Sequence, residues 1–220
     1  MKHSIAIDGP AGAGKSTVAK ELARVLGINY LNTGAMYRAL ALYALERGIS
    51  PSDESAVSSI LNEAVISVKY EGEEQRTLLN GRDCTEQLRS EAVSMATSDI
   101  SRHRAVRDRM AGLQREIALR QPLVLEGRDI GTNVLYDAPH KFFVTASAEE
   151  RARRRQKQLD KLGVSAEFQT ILADIIARDR QDSGREYMPL KRADDAVLID
   201  TTDLSIEEAV EAIKKRIEGA

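Results

Sequence analysis

Nine consecutive residues near the start of the chain, Gly9-Pro10-Ala11-Gly12-Ala13-Gly14-Lys15-Ser16-Thr17, supply what a row of phosphates needs. Gly9 and Gly14 flank four residues and Lys15-Ser16 follows at once, a spacing at which successive backbone N–H groups turn into one cavity. A lysine in that place reaches the β- and γ-phosphates, and the serine hydroxyl meets Mg2+. Ile5-Ala6-Ile7 ahead of the loop reads as a short buried strand, and Val18, Leu22, Val25 and Leu26 recur at helical spacing up to a C-capping Gly27. The loop therefore opens a helix, whose N-terminal partial charge adds to the cradle. These residues predict a bound nucleoside triphosphate. A GTP switch would need Asn-Lys-x-Asp to read its base, and a transporter ATPase Leu-Ser-Gly-Gly-Gln; the sequence has neither. Its one Asp-x-x-Gly match, Asp160 to Gly163, sits in a charged helical stretch instead of after a buried strand.

A second set of polar residues falls at the ends of other expected strands, where an open α/β sheet holds its ligands. Asn32-Thr33-Gly34-Ala35-Met36-Tyr37-Arg38 follows one strand and Gly127-Arg128-Asp129-Ile130-Gly131-Thr132 another. Arg151, Arg153, Arg154 and Arg155 cluster after a third, and Arg178, Asp182 and Arg185 share one helix face at i, i+4 and i+7. Of 32 basic residues 22 are arginine, whose planar fork grips a phosphate bidentately where lysine offers a point charge. Bland readings stand beside these: a solvated Arg38, an Arg128–Asp129 local salt bridge, a solvated face over 151–155, a surface ion pair at Asp182. Glu126 either orients a Mg2+-bound water or ends its strand, and Asp8 buttresses the loop without assigned chemistry. A phosphate monoester is largely deprotonated at neutral pH, so as an acceptor it needs no strong base. It needs charge neutralisation when two polyanions are brought in line, and arginines from four parts of the chain offer that.

The elements that must position these groups follow from periodicity. With 220 residues, 42% hydrophobic and 30% charged, the chain is globular and large enough for a sizeable core. No apolar run spans a membrane, the N-terminus reaches the glycine loop too soon for a signal peptide, and the lone Cys84 excludes an internal disulfide. A cytoplasmic enzyme is the expectation, and a net charge of −2 argues against general nucleic-acid binding. Cys84, His3, His103 and His140 show no ligand spacing. Strands are expected at 5–7, 28–31, 123–125, 141–144 and 196–199, alternating with helices, which gives a mostly parallel sheet covered on both faces. Helices are expected at about 35–47, from residue 52 or 53 to about 64, and at 91–120 with a break near 101–103. Another runs from 148 to about 185 with a break at Gly163-Val164-Ser165, and Ser205 with Glu208 forms a capping box for the last. Between about Val65 and Ser90 the alternation of Ile66, Val68 and Tyr70, the turn at Gly72 and the pair Asn80-Gly81 predict a small antiparallel insertion.

The phosphate loop together with Thr-Gly-Ala-Met-Tyr-Arg and Gly-Arg-Asp-Ile-Gly-Thr, in this order and over nearly the whole chain, resembles the bacterial-type cytidylate kinases of the nucleoside monophosphate kinase family. The resemblance implies a core around a five-stranded parallel sheet (1–64, 91–147 and 186–220), an inserted β unit of the acceptor-binding part (65–90), and a lid with its returning helix (148–185). It implies transfer of the ATP γ-phosphoryl group to CMP or dCMP with Mg2+, by a monomer. Lys15, Arg128, Arg154, Arg155 and Arg185 are then the catalytic candidates. Thr33 stands where some relatives carry serine, and Arg38, Arg128 and Arg185 match the positions that hold the acceptor phosphate. Ser98, Arg107 and Asp129 match those around the cytosine, with Thr97 a neighbouring hydroxyl able to take the place of Ser98. Arg178 and Asp182 match the sugar contacts, and Arg151, Arg154 and Arg155 match lid arginines that close over phosphates. A kinase for AMP, UMP or dTMP, or a non-catalytic nucleotide-binding regulator, are the competing readings; the regulator has no need of a second arginine set.

Overall fold

The computed structural model describes residues 4–161 and 163–219; His3 lies outside them. The chain runs β1 (Ile5–Asp8), α1 (Lys15–Leu26), β2 (Asn29–Asn32), α2 (Thr33–Glu46) and α3 (Glu54–Ile60). Then come β3 (Ile66–Glu71), β4 (Glu74–Leu79), β5 (Arg82–Asp83), α4 (Glu91–Ile100) and α5 (Arg104–Arg120). It closes with β6 (Leu123–Glu126), β7 (His140–Thr145), α6 (Ala148–Lys161), α7 (Phe168–Ser183), β8 (Val197–Asp200) and α8 (Ile206–Glu218). Five strands form one parallel sheet in the order β2-β6-β1-β7-β8, and β3-β4-β5 form a separate antiparallel sheet.

Strand alternation divides the core between the two faces of the parallel sheet. Ala6, Leu31, Leu123 and Leu125 pack on the side of α2, α4 and α5, whereas Ile5, Ile7, Val124, Phe142 and Val144 pack on the side of α1 and α8. Burial on both faces explains why these strands read as short apolar runs. The antiparallel sheet joins the first of these clusters through Ile66, Leu79 and Cys84. Gln75 also accepts the Asn32 N–H at 2.7 Å, tying β4 to the entry of α2. Helices α6 and α7 form a hairpin with a small core of Ala152, Ile171 and Ile175.

Local signals decide most boundaries. Ser205 and Glu208 make the expected capping box, and Gly27 ends α1 with φ 65°. Helix α2 begins at Thr33, earlier than periodicity indicates, because the Asn32 side chain accepts the Ala35 N–H at 3.0 Å. Helix α3 stops at Ile60, short of Ala64. A π turn at Ile130–Val134, unforeseen in the sequence, follows Gly-Arg-Asp. Pairing of Ile7 with both Glu126 and Phe142, and of Asn32 with Glu126, aligns the C-terminal ends of four strands along one edge of the sheet.

Candidate active site

That edge opens into a cavity of about 890 Å3 lined by the glycine loop on one side and by arginines on the other. Helix α1 has no side-chain cap: Gly14 stands at its N-cap with φ 83°, leaving the first-turn N–H groups for a ligand. Gly9 lets the loop run against the sheet, since a Cβ there would lie 1.9 Å from the Val144 carbonyl oxygen. Ala11, Gly12, Ala13, Gly14, Lys15, Ser16 and Thr17 all line the cavity, while Gly9 and Pro10 support it from behind. Lys15 Nζ donates to the Pro10 carbonyl at 2.6 Å, and burial, with the Arg128 charge nearby, pushes its ammonium down to about 7. Ser16 Oγ donates to Glu126 Oε1 at 2.6 Å, and Tyr30 donates to the same oxygen at 2.8 Å. Glu126 thus belongs to the site and does more than end its strand.

The Asp8 side chain makes no hydrogen bond to the glycine loop among the described residues. Its buried carboxylate accepts the Ile130 and Gly131 N–H groups, each at 2.7 Å, and so fixes the turn that carries Arg128 and Asp129. Burial outweighs these two donors and lifts the Asp8 carboxyl to about 7. Gly127 permits a close crossing there, because a Cβ would meet Ile130 at 2.7 Å and the Thr33 hydroxyl at 2.9 Å. Thr33 is buried and donates to the Glu126 carbonyl at 2.7 Å.

The arginine wall is already supplied with carboxylates. Arg128 and Asp129 do not pair with each other: Arg128 Nε donates to Asp182 Oδ2 at 3.0 Å, and Arg107 Nη2 donates to Asp129 Oδ1 at 2.7 Å. Asp182 also accepts from Arg185 and is only 2% exposed, which rules out a surface ion pair. Burial alone would raise the Asp182 carboxyl, but Arg128 and Arg185 hold it below its usual range. Arg38, Arg178 and Arg185 line the cavity, and burial lowers all three guanidinium values. The Nε atoms of Arg107, Arg178 and Arg185 are buried without a partner among the described residues.

Three expected residues, Ser98, Arg151 and Arg155, do not line the cavity. From α4 and its C-capping Ser101 the cavity receives Ser94, Thr97 and Ser101, at i, i+3 and i+7, and Ser98 falls off that face. On α6 it receives Glu150, Arg154, Lys157 and Gln158, whereas Arg155 is exposed and turned away. Arg151 is buried and already engaged: Nε on the Ala146 carbonyl, Nη1 on the Ala11 carbonyl, and a two-point bond to Asp179 at 3.0 and 2.6 Å. All of these partners are protein groups. Arg153 and Arg154 are also compensated, since both pair with Glu150 and Arg154 donates to the Thr201 carbonyl at 2.5 Å. Tyr37 and Lys157 also line the cavity, and neither stands out in the sequence, one lying beside Arg38 and the other in a run of charged residues.

The family model for cytidylate kinase matches residues 5–219, the glycine loop and the whole arginine wall included. The chain belongs to the cytidylate kinase family. It is 47% identical to a cytidylate kinase of Caldicellulosiruptor bescii, over 96% of this chain and 94% of that one. It is 48% identical to one from Caldanaerobacter subterraneus subsp. tengcongensis, over 98% and 96% of the two chains. Among solved structures, an uncharacterized protein from Eubacterium ventriosum shares the fold with a TM-score of 0.55 at 16% identity, covering both chains entirely.

Proposed function

We infer that this protein is an ATP-dependent CMP and dCMP kinase of pyrimidine nucleotide metabolism, giving CDP or dCDP and ADP. The observation that carries the reading is the shared cavity: the glycine loop with Lys15 and the arginines 38, 107, 128, 178 and 185 face one another across it. A donor and a second phosphorylated ligand are both provided for, and family membership names the pair.

An oxygen of the acceptor phosphate attacks the γ-phosphorus in line while the bond to the β–γ bridging oxygen breaks, leaving ADP. Because that acceptor is ionised at neutral pH, the site supplies positioning and positive charge rather than a base. Loop N–H groups and Lys15 hold the β- and γ-phosphates, and Arg154 approaches from α6. Arg38, Arg128 and Arg185 hold the acceptor phosphate. Arg107, Asp129 and the α4 hydroxyls, Thr97 foremost, read the cytosine, and Arg178 with Asp182 faces the sugar. Mg2+ in kinase sites takes one or two protein oxygens plus phosphates and water. The Ser16 hydroxyl and the Glu126 carboxylate, 2.6 Å apart, are hard oxygen donors that fit it. Ser16 and Glu126 would hold the ion, which would supply charge neutralisation for the transferring phosphates.

In this reading residues 65–90 form part of the acceptor-binding unit, supported by the Gln75–Asn32 link, and 148–185 form the lid with its returning helix. The reading extends to a cytoplasmic monomer without a nucleic-acid partner. Near-balanced charge supports the last point, and no helix among the described residues is long and apolar enough to cross a membrane. Coupled measurement of ADP release with CMP, dCMP, UMP, AMP and dTMP tests the reading. Preference for the cytidine nucleotides is expected; turnover favouring AMP or dTMP, or none at all, overturns it.

A further inference from the structure

Arg151 links three segments that need not have been linked. Its guanidinium binds the Ala11 carbonyl in the glycine loop, the Ala146 carbonyl between β7 and α6, and both carboxylate oxygens of Asp179 on α7. The planar fork fixes the loop carbonyl and the α7 carboxylate within the width of one guanidinium. Packing reinforces the link, since a Cβ on Gly12 would lie 3.3 Å from the Arg151 Cβ. Asp179 adjoins Arg178 and stands one turn before Asp182, both of which line the acceptor side of the cavity. Phosphates drawing on the loop N–H groups at Ala11 to Gly14 therefore act on a peptide whose carbonyl is tied, through one side chain, to the acceptor helix.

We propose that Arg151 and Asp179 are positioning residues that couple the donor loop to the acceptor helix, so that filling one nucleotide site raises affinity at the other. The proposal rests on the kinase reading above. Neither residue touches the reacting atoms. Each acts by making the register of α7 depend on the state of the loop, and such a coupling is reciprocal.

The test compares CMP affinity with and without a saturating non-hydrolysable ATP analogue, by calorimetry, in the parent, Arg151→Lys and Asp179→Asn. In the parent the analogue is expected to tighten CMP binding about fivefold or more, and CMP to tighten analogue binding by the same factor. Arg151→Lys keeps the charge but loses the fork, and Asp179→Asn keeps the shape but loses the ion pair. Both should bring that ratio to within about twofold of unity while each nucleotide alone binds within about threefold of the parent. Thermal unfolding confirms that the variants are folded, and if the lysine variant is not, the asparagine variant decides. A ratio preserved in the folded variants, or weaker binding of each nucleotide alone with the ratio intact, overturns the proposal. A parent that turns over CMP without any such ratio overturns it while leaving the activity standing. A parent that never phosphorylates CMP refutes the activity instead.

Discussion

Asp182→Ala removes the one carboxylate that accepts from both Arg128 and Arg185. Loss of one partner from a buried ion pair costs about 3–5 kcal/mol, because the other charge stays desolvated. The Asp182 and Arg185 side chains are 3% and 11% exposed, but Arg128 keeps 25% of its side chain in water, which points to the lower end, about 3 kcal/mol. In a chain of this length that is a fall of about 6–12 °C in Tm. The sign of the pH dependence follows from a depressed carboxyl. Its stabilisation is full above its ordinary value of 3.8 and is lost as the pH falls through the lower folded value, so parent and variant converge in acid. Urea unfolding at pH 7 and at a series of pH values descending below 3.8 measures this. The same variant should lose about tenfold or more in kcat/KM for CMP, since the arginines drift and the sugar loses an acceptor. Sulfate, which can occupy the uncompensated arginines, should stabilise the variant more than the parent. Stability within about 0.5 kcal/mol of the parent, with kcat/KM for both CMP and dCMP within about twofold, would refute the reasoning.

Lys15, held at about 7 in the free protein, should take up about half a proton at pH 7 and nearly a whole one at about pH 8 when ATP restores its ordinary basicity. Calorimetry in buffers of different ionisation enthalpy detects that uptake, and Lys15→Ala should abolish it along with about 10² or more of turnover. Asp8→Asn turns an amide toward one of two backbone donors and should destabilise by about 1–3 kcal/mol. Because the folded value of about 7 exceeds 3.8, Asp8 contributes stability that is lost as the pH rises between them; urea titrations at pH 5 and 7.5 should show a shallower loss in the variant. Arg154→Ala should slow transfer at least about tenfold and Arg155→Ala less than about twofold, the reverse order in single-turnover rates contradicting the α6 geometry.

How far the sequence could be read depended on whether a signal was local. The glycine loop, the capping box at Ser205, the Asn80-Gly81 turn and the break at 101–103 are each fixed by a few adjacent residues, and all lie where expected. Which face of a helix meets the cavity is a different matter. Ser98 and Thr97, or Arg154 and Arg155, differ by a single step of about 100°, and only the packing of α4 and α6 chooses between them. Pairings across the chain were hidden for the same reason. Nothing near Asp8 indicates a partner at Gly131, and nothing near Arg151 indicates Asp179, because those contacts arise only when β1, the turn after β6, α6 and α7 are brought together. For Glu126 the sequence leaves a site role and a strand end both open, because its partners Ser16 and Tyr30 come from other elements.

The carboxylates among the arginines explain how so much positive charge is held before any ligand arrives. Arg107, Arg128, Arg151, Arg154 and Arg185 each bind a carboxylate of the protein itself. Without those partners, burial and mutual repulsion would favour splaying the side chains into solvent, and order would have to be restored at each binding event. With them the guanidinium groups stand nearly in place, and a phosphate has only to add its own charge to arginines that already line the cavity. Asp182 positions Arg128 and Arg185, and under the proposed function it serves a second end as well, offering oxygens toward the acceptor sugar. A residue with both roles should fail in both when replaced, so the stability loss and the loss in kcat/KM of Asp182→Ala should appear together. Asp182→Asn, which retains one accepting oxygen but no charge, should fall between parent and alanine on both measures. A variant that lost activity at full stability would separate the two roles and assign Asp182 to the substrate alone.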